Sequence, residues 1–296
     1  MSLLFSACEG NFRGKEAATY GTNKIVVDET LQEPISSELQ LFKIIYPDAN
    51  LTATYLPETE LVQRMVQDSF QIAVMARQFS DYEMTYFKSK KINVRASLIG
   101  YDAVALVVNK NNPDTLLDCQ KVLDIMLGKV TTWKQLSKTS RLDKINLVFD
   151  NANSSTVTYL KTRSGATEDP KIATALESNS EVIKYVGANP NSLAIMGSGW
   201  LTDMNAEQLT ALNKNAKIVF LTSDKPEHKN YYQPKTEQIR DRKYPFMREI
   251  FIVDCQGFSG LGVGFGSYIC GNEGQLALLK TGLLPRFTQP RNVNMK

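Results

Sequence analysis

Residues 148–163 read VFDNANSSTVTYLKTR and crowd Asp150, Asn153, Ser154, Ser155 and Thr156 into one short polar knot. Val148 and Phe149 lead in like the end of a strand, and Val157 and Leu160, three apart, begin a helical pattern. A helix N-terminus carries unpaired N–H groups and a partial positive charge. Hydroxyl-rich turns placed there cap the helix or hold an oxyanion. One side chain suffices for a cap, and this stretch supplies several. Two readings therefore stand side by side, Ser154 and Thr156 as plain N-cap residues or the whole turn as one wall of a binding site.

Other chemistry is poorly supplied. The single histidine, His228, lies in the polar stretch SDKPEHKNYY and reads as a loop residue, so catalysis built around histidine is not expected. Cysteines at 8, 119, 255 and 270 form no CxxC pair, which argues against a zinc site. Cys119 and Cys270 read as small buried hydrophobes, and a Cys255–Cys270 bridge stays open. GLGVGFG at 260–266 lacks the Lys-Ser/Thr of a phosphate-cradling loop and opens no βαβ unit, so it is not a nucleotide site. Trp133 and Trp200 read as packing residues rather than stacking platforms. The expectation is a protein that is not an enzyme and uses no cofactor or metal.

Bulk properties narrow the class further. At 296 residues and 43% apolar, the chain can build one large domain or two ordinary ones. A net charge of +3, with Lys and Arg spread along the chain, gives no concentrated basic face for nucleic acid. No run of about 18 apolar residues is present to span a membrane.

The elements that must position the polar knot alternate. KIVVD reads as a short strand, ISSELQLFKIIYP as an amphipathic helix, NLTATYL as a strand and ETELVQRMVQD as a second helix. FQIAVMA is a compact apolar run typical of a parallel strand, and RQFSDYEMTYFKSK opens a third helix. INLVFD, NSLAIMGSGWL and KIVFLT continue the strands. Two long β-like segments, 98–113 and 244–255, look like crossings between two lobes. The end, GFGSYICGNEGQLALLKTGLLP, reads as a helix broken by glycines. Alternating strands and helices predict an α/β fold with a largely parallel sheet in each lobe. The cleft between lobes is where a small ligand would bind and where hinge closure would trap it.

At the start, LLFSAC places small residues directly before Cys8 and resembles a bacterial lipobox, although the stretch before it is short and uncharged. EGNFRGKEAATYGT then reads as a polar tether from a membrane anchor.

Six segments in order, YDAVALVVNKNNP, VLDIMLGKVTTW, SSTVTYL, AIMGSGWL, YPFMREIFIV and GQLALLKTGLLP, resemble the phosphate-type periplasmic solute-binding proteins of ABC transporters. The likeness covers nearly all of the chain after residue 22. It implies a two-lobed type II fold with two hinge crossings: a tether at 1–21, one lobe from 22–100 plus 250–296, and a second from 101–249. It also implies a small oxyanion, phosphate first, gripped by three loops. These are Asp28, Glu29 and Thr30 after the opening strand, Ala76 and Arg77 after QIAVMA, and Ser154, Ser155 and Thr156 where the family has Ser-Gly-Thr, with Asp150 and Asn153 beside them. Two positions depart from the pattern. Asp150 stands where an arginine is usual, and Glu29 where small neutral residues are. Arg77 would compensate by gripping the ligand or by pairing with Asp150. The implied setting is the cell envelope, in the periplasm or on the outer face of a membrane, for a monomer lipid-anchored at Cys8 that delivers its anion to ABC transporter membrane subunits. The alternative is a two-lobed surface scaffold or sensory protein that takes a different polar ligand or none.

Overall fold

The computed structural model describes residues 16–202 and 214–287; Cys8 and most of the expected tether lie outside them. The strands are β1 (Glu16–Ala17), β2 (Tyr20–Asp28), β3 (Ala49–Leu56), β4 (Ile72–Met75), β5 (Arg95–Asn109), β6 (Leu116–Leu117), β7 (Asn146–Phe149), β8 (Ala173–Ala175), β9 (Ser192–Gly197), β10 (Ala216–Ile218), β11 (Phe220–Thr222), β12 (Tyr231–Tyr232), β13 (Met247–Asp254) and β14 (Leu284–Pro285). Helices α1 (Gln32–Ile45), α2 (Glu58–Val66), α3 (Asp81–Ser89), α4 (Cys119–Met126), α5 (Trp133–Leu136), α6 (Ser155–Ser164) and α7 (Asn179–Ala188) alternate with them. Local signals account for several boundaries. Ser80 and Glu83 form a reciprocal capping box at the start of α3, and Gly165, in the left-handed conformation, closes α6.

β5 is the axis of the molecule. Its first part pairs antiparallel with β13 as far as Ala103, and from Val104 onward it pairs antiparallel with β9. On the β13 side, β2, β3 and β4 run parallel to one another. On the β9 side, β7, β8 and β9 do the same. The fold is thus two mostly parallel sheets sharing one long strand, with β13 crossing beside it.

Each sheet buries both faces, as strict alternation shows. Ile25, Val27, Val74 and Ile252 point to one side, under Phe42 of α1 and Phe265. Val26, Ala73, Met75 and Val253 point to the other, under Leu61 and Met65 of α2 and Phe87 of α3. In the second sheet Leu147, Phe149, Leu193 and Leu106 meet Trp133, Val157 and Leu160, while Val148, Ala194 and Val107 meet Val182 and Val186 of α7. Period-two side-chain alternation in a strand covered on both faces yields this continuous apolar run. Trp133 is fully buried and its indole donates to the Asn191 carbonyl, and Trp200 packs at the edge of the α7 cluster.

Two details differ from the sequence reading. KIVFLT is split into β10 and β11, because Val219 hands its N–H to Leu106 between them. The glycine-broken terminal helix is two helices, Leu261–Ile269 and Asn272–Lys280, parted at Cys270 and Gly271. Cys255 and Cys270 are free thiols that belong to opposite faces of the first sheet.

Candidate functional site

The ends of β2, β7 and β9 meet where the two sheets face each other. Asp28, the last residue of β2, caps a short 3-10 turn over Glu29–Leu31. Its Oδ1 accepts from the Thr30 N–H and from Thr30 Oγ1, both at 2.9 Å. That turn aims the Thr30 hydroxyl at the opposite sheet, where Ser155 Oγ lies 3.1 Å away. Ser155 is the first residue of α6, placed there by the strand β7 and the turn at 150–154. The end of β9 closes the third side, with Gly197 facing Thr30 and Arg248, which a Cβ added there would meet at ordinary van der Waals distance.

The centre of the site is Arg248, on β13, only 2% exposed. Its Nε and Nη2 grip the two carboxylate oxygens of Asp102 at 2.9 and 2.5 Å, a bidentate pair between the crossing strands. The same guanidinium donates from Nη1 to Ser155 Oγ at 2.6 Å and from Nη2 to Thr30 Oγ1 at 3.3 Å. Burial works against the arginine's charge, but Asp102 beside it outweighs that and holds it protonated far above any physiological pH. One cation thus bridges hydroxyls from both sides of the cleft.

The remaining polar atoms are acceptors without donors. Asp28 Oδ2, Glu29 Oε1 and Asp150 Oδ1 are buried with no hydrogen-bond partner among the described residues. Asp150 uses its other oxygen to accept from Asn179 at 2.9 Å. Burial, with further repulsion from Asp28, raises the Asp150 carboxyl above its usual range. Glu29 rises to about 7, through burial and then the neighbouring Asp150, Asp28 and Glu60. Buried acceptors left unpaired cost free energy, so this arrangement favours a partner that donates hydrogen bonds.

The other residues singled out in the sequence fall as follows. Ser154 and Thr156 are buried and hydrogen-bond each other through their hydroxyls at 2.9 Å. Ser154 occupies the N-cap position of α6, accepting from the Thr158 N–H through its carbonyl, but its side chain makes no cap bond. Asn153 is exposed and its N–H donates to Asn151. Ala76 packs into the core beneath α1. Arg77 does not pair with Asp150. Its Nε donates to Glu58, Nη1 to Glu83 and to the Gln78 carbonyl, and Nη2 to Glu83 again. It ties the end of β4 to α2 and α3, with four of its five N–H donors engaged there and none directed at Asp150.

Arg248 and Asp102 were not among the candidate residues. Only a partial signal is present in the sequence: Asp102 is the one charge inside LIGYDAVALVV, whereas Arg248 stands beside Glu249 in YPFMREIFIV and strand alternation alone assigns the two to opposite faces. Buried charges of opposite sign on neighbouring strands are expected to pair.

The family model described as a PBP superfamily domain matches residues 14–273. The chain belongs to the PBP superfamily. The phosphate-binding protein PstS of Staphylococcus aureus (strain USA300) is 25% identical over 260 residues, covering 85% of this chain and 74% of that protein. A structure of a phosphate ABC transporter substrate-binding protein from Clostridium perfringens, with bound phosphate, superposes at a TM-score of 0.72 and 18% identity, covering 90% of this chain and 99% of that one. An ABC-type phosphate transport receptor from Vibrio cholerae gives 0.70 at 17% identity, covering 90% and 100%. The periplasmic-binding-protein-like fold, with its two sheets and crossing strands, is that of these structures. Among the described residues no helix is long and apolar enough to cross a membrane, and no cluster of metal-ligating side chains occurs.

Proposed function

We propose that this PBP-superfamily chain is a solute-binding protein that captures a small oxyanion between its lobes for ABC-type uptake, with phosphate as the leading ligand. One observation carries the reading. Arg248, buried on a crossing strand, reaches hydroxyls of both lobes at the N-terminus of α6. A fixed cation, two hydroxyls and unpaired helix N–H groups are the donor set for an oxyanion. The PstS likeness and the phosphate-bound neighbour support phosphate as its identity. The orphaned oxygens of Asp28 and Asp150 support it as well, because phosphate keeps a proton near neutral pH and can donate to a carboxylate. Sulfate, fully ionised there, cannot.

The finer points belong to the same proposal: lobes of 22–100 plus 250–296 and 101–249, a monomer tethered through Cys8 at the outer face of a membrane, and delivery to transporter membrane subunits. A thermal-shift titration tests the core claim. Phosphate at 100 times its Kd adds about 2.7 kcal/mol of stability, which for a chain of this size raises Tm by roughly 4–5 °C. Sulfate at equal concentration is expected to do much less. The reading is abandoned if no oxyanion shifts the melting curve.

A further inference from the structure

Behind the crossing strands lies a second concavity that the cleft reading does not use. Side chains alternate along β5 and β13, so while Asp102 and Arg248 face the cleft, Tyr101 and Met247 face the reverse side. There they form the floor of a cavity of about 200 Å³. One wall is the segment after Thr236, carrying Arg240 and Arg242, and the other is the chain end at Pro285 and Arg286. The first wall is anchored to the second lobe by buried Ile239 and by Tyr244, whose hydroxyl donates to the Val104 carbonyl. The second is anchored to the crossing strand, where β14 pairs with Gly100 and Tyr101.

The charges in this cavity are unevenly matched. Arg242 makes no side-chain hydrogen bond or ion pair among the described residues. Arg240 uses only Nε, at 3.2 Å from Asp241, and Asp241 is shared with Lys243. Arg286 gives Nη1 to the Leu98 carbonyl and to Cys270 Sγ and lies over the Phe287 ring, while its Nε is buried without an acceptor among the described residues and its Nη2 makes no hydrogen bond there. The facing acids are Asp241, so shared, and Glu249, which is exposed and paired across the strands with Tyr101. Three guanidiniums with spare donors around a small polar cavity match a compact multivalent anion, because planar N–H forks bind phosphoryl and sulfuryl oxygens in pairs.

We propose that this cavity, on the reverse face of the hinge, is a second binding site for a small free oxyanion, separate from the cleft. Its walls belong to segments fixed to different parts of the fold, so an occupant spans the crossing. The site stands on its own geometry and does not depend on the cleft's ligand.

The test titrates inorganic phosphate into the full chain by calorimetry at low ionic strength, while NMR follows the Met247 methyl signal. Two variants are compared with the parent, Ser155→Ala for the cleft and the double Arg240→Gln, Arg242→Gly for the cavity. Arg242 has φ 53°, the left-handed region where glycine is at ease, so its removal keeps the turn intact. A second, weaker and salt-sensitive event is expected that moves the Met247 signal. It should weaken at least tenfold in the double variant, whose tighter event stays within twofold, and survive in Ser155→Ala. A weak event that persists unchanged in the double variant, or a titration in which no weak, salt-sensitive event moves the Met247 signal, overturns the proposal. If the weak event alone is seen and the double variant removes it, the cavity stands and the cleft reading falls.

Discussion

Ser154 and Ser155 are neighbours in sequence with different surroundings, and that difference is a test. Ser155 Oγ hydrogen-bonds Arg248 and Thr30, whereas among the described residues Ser154 Oγ hydrogen-bonds Thr156 alone. Ser155→Ala is expected to weaken phosphate binding by roughly ten- to a hundredfold, the loss of one hydrogen bond to a charged group at about 1.5–3 kcal/mol. Ser154→Ala should change it little, and calorimetry on the two variants separates them. Arg248→Met alone leaves Asp102 buried and unpaired, which costs about 3–5 kcal/mol of stability. Adding Asp102→Asn should restore much of that stability but no binding, so folding and capture come apart. Glu29 carries the pH dependence. With its carboxyl near 7, it is protonated on the acid side and repels an anion less there. Affinity is therefore expected to fall as pH rises through 7, and Glu29→Gln to flatten that fall, the difference from the parent removing phosphate's own titration. Equal pH profiles would place Glu29 outside the ligand's field. Ser155 and Thr30 were legible in the sequence because hydroxyls at turn-to-helix junctions have a local signature. Arg248 and Asp102 were not, because their partnership spans 146 positions and only the sheet register joins them.

At the scale of elements, strands and helices were readable wherever an apolar run or a helical period stood out, as in β4, β5 and α2, with a capping box marking the start of α3. What the sequence withheld was why certain residues sit inside them. The glycines of GLGVGFG are an example. A Cβ on Gly264 would lie 1.7 Å from the Ala18 carbonyl oxygen, so the helix Leu261–Ile269 rests directly on the turn between β1 and β2. Glycine there serves close approach of two backbones and has no part in phosphate binding. Glu38 of α1 is another. It is fully buried, neither carboxyl oxygen is within hydrogen-bond distance of a partner among the described residues, and burial, opposed in part by the nearby Tyr268 hydroxyl, pushes its pKa from 4.5 up to about 8. The folded state therefore holds a proton that the unfolded chain releases between those values. Stability should be greatest below about pH 4.5 as far as this group is concerned, decline as pH rises, and level off above about 8. The decline is at most about 1.4 kcal/mol per pH unit for one proton. Glu38→Gln keeps the shape and removes the titration. Urea denaturation of both proteins at pH 6 and pH 8 should show the variant losing less stability across that interval, and parallel losses would mean that Glu38 finds a partner or water in solution.

For the whole molecule, the contacts across the cleft say what the ligand must do. Thr30 and Ser155 approach to 3.1 Å with Arg248 behind them, so the two lobes here are drawn together over buried carboxyl groups of like charge. Asp28, Glu29 and Asp150 face one another in a region of low dielectric, where like charges repel by roughly 1–4 kcal/mol per close pair. An open arrangement lets water reach those groups, and closure without a ligand brings the repulsion back. A phosphate bound as proposed would reverse the balance by donating to the acids and accepting from Arg248 and the hydroxyls of both lobes. Closure is therefore expected to be coupled to binding rather than spontaneous, since a ligand shifts a two-state equilibrium only through its differential affinity for the states. Small-angle scattering checks this directly: the radius of gyration should be larger without phosphate than with it. Thr30→Ala with Ser155→Ala should stay at the larger value at phosphate concentrations that close the parent. A parent whose radius is the same with and without phosphate, under conditions where calorimetry shows saturation, would mean that the lobes are fixed and that the ligand enters a preformed site.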